Sequence, residues 1–204
     1  MSPPGRSPLV ALFLTVFIDL MGFGIVIPLL PIYAEQFAAT PFAAGALLAV
    51  YSLMQLVYAP VWGRVSDRIG RRPVLLVSLA GSSLGYLLLA TAGSLRTLFA
   101  ARILAGVAGA NIPVAQAYIA DVTSRAERAR GMGLIGAAFG LGMVVGPALG
   151  GGLSLLGSRV PESFAAGLCL LNVVITAWSL PGIAARGTAA RERVSPSPLA
   201  GLAP

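Results

Sequence analysis

The sequence predicts an all-α integral membrane protein with six transmembrane helices, and three observations carry that prediction. Of the 204 residues, 57% are hydrophobic and only 10% charged, whereas a soluble domain of this size carries about 25% charged residues. Six apolar runs, residues 8–33, 42–62, 74–92, 97–120, 131–156 and 163–183, are each long enough to cross a bilayer core of ~30 Å. The charges gather between those runs rather than within them, and the mean hydropathy of the whole chain is +0.87. Residues 1–7 then form a short leader, residues 8–183 a six-helix bundle, and residues 184–204 a tail. The tail is rich in Arg, Ala, Ser and Pro without apolar periodicity, so disorder is expected there.

The first run, LVALFLTVFIDLMGFGIVIPLLPIY, is too long for a secretory signal and is interrupted by Asp19; no small-x-small cleavage site follows it. Gly22, Gly24, Pro28 and Pro31 predict a loosened, kinked outer half. An outer loop, 35–41, leads to the second span. Residues 63–72, GRVSDRIGRR followed by Pro73, hold four arginines, one aspartate and two glycines, and read as a tight hairpin connection on a membrane surface. The third span ends in a short outer turn at 93–96. The fourth is followed by the connection 121–130, and the glycine-rich fifth by an outer turn at 157–162 before the sixth.

Arginine placement orients this topology. Arg6, Arg64, Arg68, Arg71, Arg72, Arg125, Arg128, Arg130, Arg186, Arg191 and Arg193 fall on one side, against Arg96 and Arg159 on the other. An excess of positive charge marks cytoplasmic connections, so both termini are expected in the cytoplasm. The sequence pI near 10.8 follows from the same topology, and nucleic acid is not the expected partner.

Composition also restricts the chemistry. The one cysteine, Cys169, lies in an apolar run, so neither an intrachain disulfide nor a cysteine metal site is possible. Histidine is absent, so carboxylates must carry any proton chemistry. With no P-loop, no metal-ligand spacing and no triad, neither an enzyme nor an ATP-driven pump is expected, and no cofactor or metal is implied.

Two charges lie within predicted spans. Asp19 sits about 11 residues into the first, roughly 16 Å deep at ~1.5 Å per residue and so near the midplane. Arg102 enters the fourth span from outside and lies about 8 Å deep. The two heights differ by about 6 Å in a ~30 Å core, within reach of an arginine side chain if the spans are neighbours. An ionisable group at that depth costs ~2.5 to 3.5 kcal/mol or more, and by default marks an ion or substrate path. The alternative is a structural pair that neutralises two buried charges. A carboxylate withdrawn from water can load and release a proton near neutral pH, as a proton-coupled carrier requires.

In the fifth span Gly142, Gly146 and Gly150 share one helix face and Gly136 and Gly140 another, a spacing that lets two backbones approach closely. Pro147 removes one backbone hydrogen bond and permits bending. An inert helix contact would need the same spacing. Asn111, Pro113 and Gln116 in the fourth span offer polar character to a cavity or to neighbouring helices.

The stretch Gly63-x-x-x-Asp67-Arg68-x-Gly70-Arg71-Arg72-Pro73 resembles the loop between the second and third spans of major facilitator superfamily transporters. Gly142-x-x-x-Gly146-Pro147-x-x-Gly150-Gly151 is similar to the fifth-span motif of the antiporter branch. Arg102-x-x-x-Gly106 resembles the fourth-span motif assigned there to proton coupling, with Ala105 where glutamine is frequent. Residues 9–182 look like the amino-terminal six-helix half of a drug:proton antiporter of the tetracycline-efflux type, in a bacterial inner membrane.

That resemblance implies one half of a major-facilitator fold, export of small amphiphilic compounds against a proton gradient, and the bilayer and a small molecule as partners. It places Asp19, Gln55 and Arg102, with Asn111 and Gln116, on the proton and substrate pathway. It puts Gly63, Asp67, Arg68, Gly70, Arg71, Arg72 and Asp121 in a cytoplasmic gating cluster. A complete carrier of this kind has two six-helix halves, so the chain is expected to be a fragment, one half of a split transporter, or a homodimer. Leu180-Pro181-Gly182 departs from the Leu-Pro-Glu common in the family. A non-transporting membrane protein that packs on helical partners stays open, as does, more weakly, a nutrient uptake carrier.

Overall fold

The computed structural model describes residues 8–180. The predicted leader, the tail and the end of the sixth predicted span lie outside the described residues. Among those described, every regular element is helical. Six helical segments are long and apolar enough to cross a membrane: Leu9–Gln36, Pro41–Ile69, Arg71–Ala90, Leu95–Val122, Arg125–Ser154 and Val160–Ser179.

The first span is α1 (Pro8–Val26), a 3-10 turn at Ile27–Leu29, and α2 (Leu30–Gln36). Pro28 has no N–H for the Gly24 carbonyl and Pro31 none for Ile27, so the helix breaks where the sequence predicts a kink. Thr40 caps α3 (Pro41–Ile69), its hydroxyl accepting from Ala43 N at 3.3 Å, with Pro41 preset at the first helical position.

The predicted hairpin at 63–72 is not a loop. α3 continues to Ile69 and α4 (Arg71–Ala90) starts two residues later. The whole turn is Gly70, buried, at φ 99° and ψ 159°, a backbone region that side chains other than hydrogen strain to enter. Polar residues there suggest a loop, but a helix emerging from the membrane keeps its hydrogen bonds in water and needs no apolar residues to continue.

The fourth span is also not one helix. α5 (Leu95–Ala108) and α6 (Asn111–Val122) are separated at Gly109 and Ala110. Ser124 then caps α7 (Arg125–Ser154), accepting from Glu127 N at 3.4 Å while the Glu127 carboxylate meets the same hydroxyl at 3.0 Å. Arg125, Arg128 and Arg130 therefore stand on the first turns of α7 rather than in a loop. Gly157, at φ 145°, turns the chain into α8 (Val160–Ser179), which begins inside the predicted outer turn.

α1 lies centrally, against α7 on one side and α8 on the other; α4 packs on α5 and α8, and α3 on α5. Ile25, Leu30, Leu47, Leu98 and Cys169 fill one half of the core, and Leu12, Val16, Leu75, Tyr118 and Ile135 the arginine-rich half. A polar seam joins α1 to α8 in the latter: the hydroxyls of Thr15 and Thr176 lie 3.0 Å apart, and Asn172 donates to the Thr15 carbonyl at 2.7 Å.

The glycine ridge of α7 faces α1. A Cβ on Gly142 would meet Leu20 Cβ at 2.8 Å, on Gly146 the Met21 carbonyl oxygen at 2.7 Å, and on Gly150 the Ile25 carbonyl oxygen at 2.7 Å. Gly24 answers from α1, where an added Cβ would lie 3.2 Å from Gly146 Cα and from Pro147 Cδ. The second predicted ridge finds no partner: Gly136 and Gly140, like Gly151 and Gly63, have open space where a Cβ would sit.

Candidate functional site: a polar pocket at mid-span and an ion cluster at the arginine-rich end

Where the two halves of the core meet, Asp19, Phe23, Tyr51, Gln55, Ser82, Tyr86, Gly109 and Asn111 line a pocket of about 100 Å³. Four spans supply these groups, so it exists only in the assembled bundle. The Asp19 carboxylate accepts from Asn111 Nδ2 at 2.8 Å. Asn111 is the first residue of α6, so the positive end of a half-helix lies beside that carboxylate.

Arg102 does not pair with Asp19; among the described residues both ion pairs are made by Arg71. Arg102 is 2% exposed, its Nε donates to the Leu47 carbonyl at 3.4 Å, and its Nη1 has no hydrogen-bond partner. Its guanidinium lies 4.3 Å from the centre of the Tyr51 ring and 5.9 Å from that of Phe23, so aromatic faces rather than a carboxylate receive the charge. One turn on, Gly106 lets α5 reach α3: a Cβ there would stand 2.7 Å from the Tyr51 carbonyl oxygen. Gln116 is exposed and does not line the Asp19 pocket.

The break in the fourth span has a sequence cause and side-chain partners. Pro113 has no N–H for the Gly109 carbonyl and its ring excludes that carbonyl from the helical position. Bare carbonyls this deep would each cost about 1–3 kcal/mol. Instead, Trp62 Nε1 donates to Val107 O at 2.6 Å and Gln55 Nε2 to Gly109 O at 2.9 Å. Ser78 donates to Ala108 O, and its hydroxyl accepts from Ala110 N at 3.0 Å. Gln55 thereby lines the same pocket as Asp19 and Asn111. Trp62 and Ser78 carry no mark of this role in the sequence beyond Pro113, four residues after Gly109.

At the arginine-rich end Arg71 is 8% exposed and gathers three partners. Its Nε donates to Asp121 at 3.0 Å, Nη1 to Ser66 Oγ at 2.5 Å, and Nη2 pairs with Asp67 at 2.5 Å. Ser66 passes the chain on to the Gly63 carbonyl at 2.8 Å. Arg72 donates to the Ala177 carbonyl of α8 and Arg128 to the Ala120 carbonyl at 3.0 Å, while Arg68 is exposed. Of the predicted cluster, Asp67, Arg71 and Asp121 come together around Gly70; Arg68 and Arg72 point elsewhere. At the opposite end Glu162, placed by the sequence in an outer turn, is 1% exposed in the first turn of α8 and shares a small pocket with Tyr33 and Arg159.

Six helical segments long and apolar enough to cross a membrane, with a carboxylate inside the first and an ion cluster at one face, define a multi-span membrane protein. The model of the Major Facilitator Superfamily matches residues 12–202, and the chain belongs to that family. It is 43% identical over 178 residues to the class E tetracycline resistance protein of Escherichia coli, covering 86% of this chain and 44% of that protein. The class B protein of Escherichia coli is 46% identical over 171 residues, 82% of this chain and 42% of its own. Multidrug resistance protein 2 of Bacillus subtilis (strain 168) is 32% identical over 176 residues, 86% and 44% respectively. Among solved structures, the human organic anion transporter MFSD10 superposes with a TM-score of 0.78 at 29% identity, over 89% of this chain and 49% of that one. The chain thus spans less than half the length of the curated relatives it matches.

Proposed function

We propose that this chain supplies one six-helix half of a proton-coupled exporter of small amphiphilic compounds, working by alternating access against a second six-helix half. One observation carries the reading: a carboxylate, Asp19, at mid-depth on a central helix, held by Asn111 in a pocket that also presents Gln55 and aromatic rings. Such a group can carry a proton through the membrane interior while the pocket accepts an apolar compound with few polar groups. Similarity to tetracycline and multidrug resistance proteins supports export of a drug-like molecule. The chain's share of those relatives supports the need for a second half, through which the pocket would gain its missing wall.

In this reading the protein resides in a bacterial inner membrane with both termini cytoplasmic, uses the proton gradient with no cofactor, and catalyses no covalent chemistry. The cluster of Asp67, Arg71 and Asp121 serves as the cytoplasmic latch, and the α1–α7 glycine contact as the surface on which the span carrying Asp19 is guided. The test is co-expression in a drug-sensitive bacterium with the carboxyl-terminal six-helix half of the class B tetracycline resistance protein. Restored export that Asp19→Asn abolishes supports the proposal. Assembled pairs that export nothing, or that export equally well with Asn at position 19, contradict it.

A further inference from the structure

Trp62 and Ser78 do not line the Asp19 pocket, yet they act on the element that presents its hydrogen-bond donor. In a continuous fourth span the carbonyls of Val107 and Ala108 would be taken by the N–H groups of Asn111 and Ile112. Here Trp62 of α3 takes the first and Ser78 of α4 takes the second, which also accepts from Ala110 N at 2.7 Å, and the same N–H meets the Ser78 hydroxyl at 3.0 Å. The residue after Ala110 is Asn111, whose amide meets Asp19 at 2.8 Å. Ser78 is wholly buried, and close backbone contact brings α4 to this point: a Cβ on Gly81 would lie 2.5 Å from Ala108 Cβ.

We propose that Trp62 and Ser78 are positioning residues for Asp19: by holding the Val107 and Ala108 carbonyls they fix the break, and the fixed break aims Asn111 at the carboxylate. α3 also carries Ser66 and Asp67, which meet Arg71 across Gly70. A shift of α3 at the arginine-rich end is therefore delivered to Asp19 through Trp62, without any contact between the cluster and the pocket. The geometric claim stands on the hydrogen bonds alone; only its consequence for transport rests on the carrier reading.

The test is infrared spectroscopy of the full chain in lipid nanodiscs with aspartate carboxyls isotope-labelled, the Asp19 band being assigned by its loss in Asp19→Asn. Asn111→Ala removes the hydrogen bond directly and should shift that band. Trp62→Phe, which keeps the ring and loses the donor, and Ser78→Ala should shift it in the same direction. Ser78→Thr should restore the native position. Ser83→Ala, which removes a buried hydroxyl-to-carbonyl bond to Ala166, should leave the band unmoved. A native band in both Trp62→Phe and Ser78→Ala, with Asn111→Ala shifted, overturns the proposal; so does an unmoved band in Asn111→Ala. Because the measurement needs no transport, it separates this claim from the carrier reading.

Discussion

Arg71 and Asp67 separate stability from function at the scale of one residue. Arg71 and Asp121 are each 9% exposed at the side chain, whereas Asp67 is 58% exposed. Breaking a buried ion pair costs about 3–5 kcal/mol, and losing an exposed one ~1 kcal/mol or less. Arg71→Ala should therefore destabilise the bundle by roughly 3–5 kcal/mol. Asp67→Asn should barely alter stability yet impair export if the cluster acts as the proposed latch. Thermal unfolding in detergent, followed by a thiol-reactive dye on the buried Cys169, reads the first effect; export by the paired halves reads the second. The sequence made Asp67, Arg71 and Asp121 legible together because charges in a short connection can be compared with a family pattern. It hid the stacking of Arg102 on Tyr51, since which ring receives a guanidinium depends on the crossing of α3 and α5.

Among the elements, α7 is the one whose face is written in its glycines. Gly146 stands 2.7 Å, by its would-be Cβ, from a backbone oxygen of α1 that no rotamer change can move. Gly146→Ala should cost about 2–3 kcal/mol, in the range of overpacking, because α1 and α7 must separate. Gly136→Ala and Gly151→Ala, into open space, should be neutral or gain up to ~1 kcal/mol of helix propensity. The same unfolding assay ranks all three. The sequence showed the spacing of both ridges but not which one is covered, because periodicity marks a face and only the packed bundle supplies its neighbour. The broken fourth span was hidden for a related reason. Pro113 announces a lost hydrogen bond, but whether the helix bends, as α7 does not break at Pro147, or stops depends on donors such as Ser78 arriving from other helices.

For the whole molecule, the span count, their order and the arginine bias were readable because a bilayer demands long apolar helices and sorts positive charge. Orientation is checked with a membrane-impermeant maleimide on intact cells, in a Cys169→Ala background. Cysteine at Arg130 should resist labelling until the membrane is opened, and cysteine at Arg159 should label at once. Reversed labelling would invert the topology and put the ion cluster on the wrong side to act as a cytoplasmic latch.

Proton flux driven by substrate is the direct readout of whether Asp19 carries a transported proton. Inside-out vesicles carrying this chain together with the second half from a tetracycline-resistance relative are energised with a proton gradient, and tetracycline is added. On the proposed function, tetracycline, the probe matched to the supplied half, dissipates part of the gradient with the native chain and none of it with Asp19→Asn, although both pairs assemble. Equal dissipation by the two assembled pairs would show that Asp19 carries no transported proton, and the carrier mechanism argued from its pocket would fall.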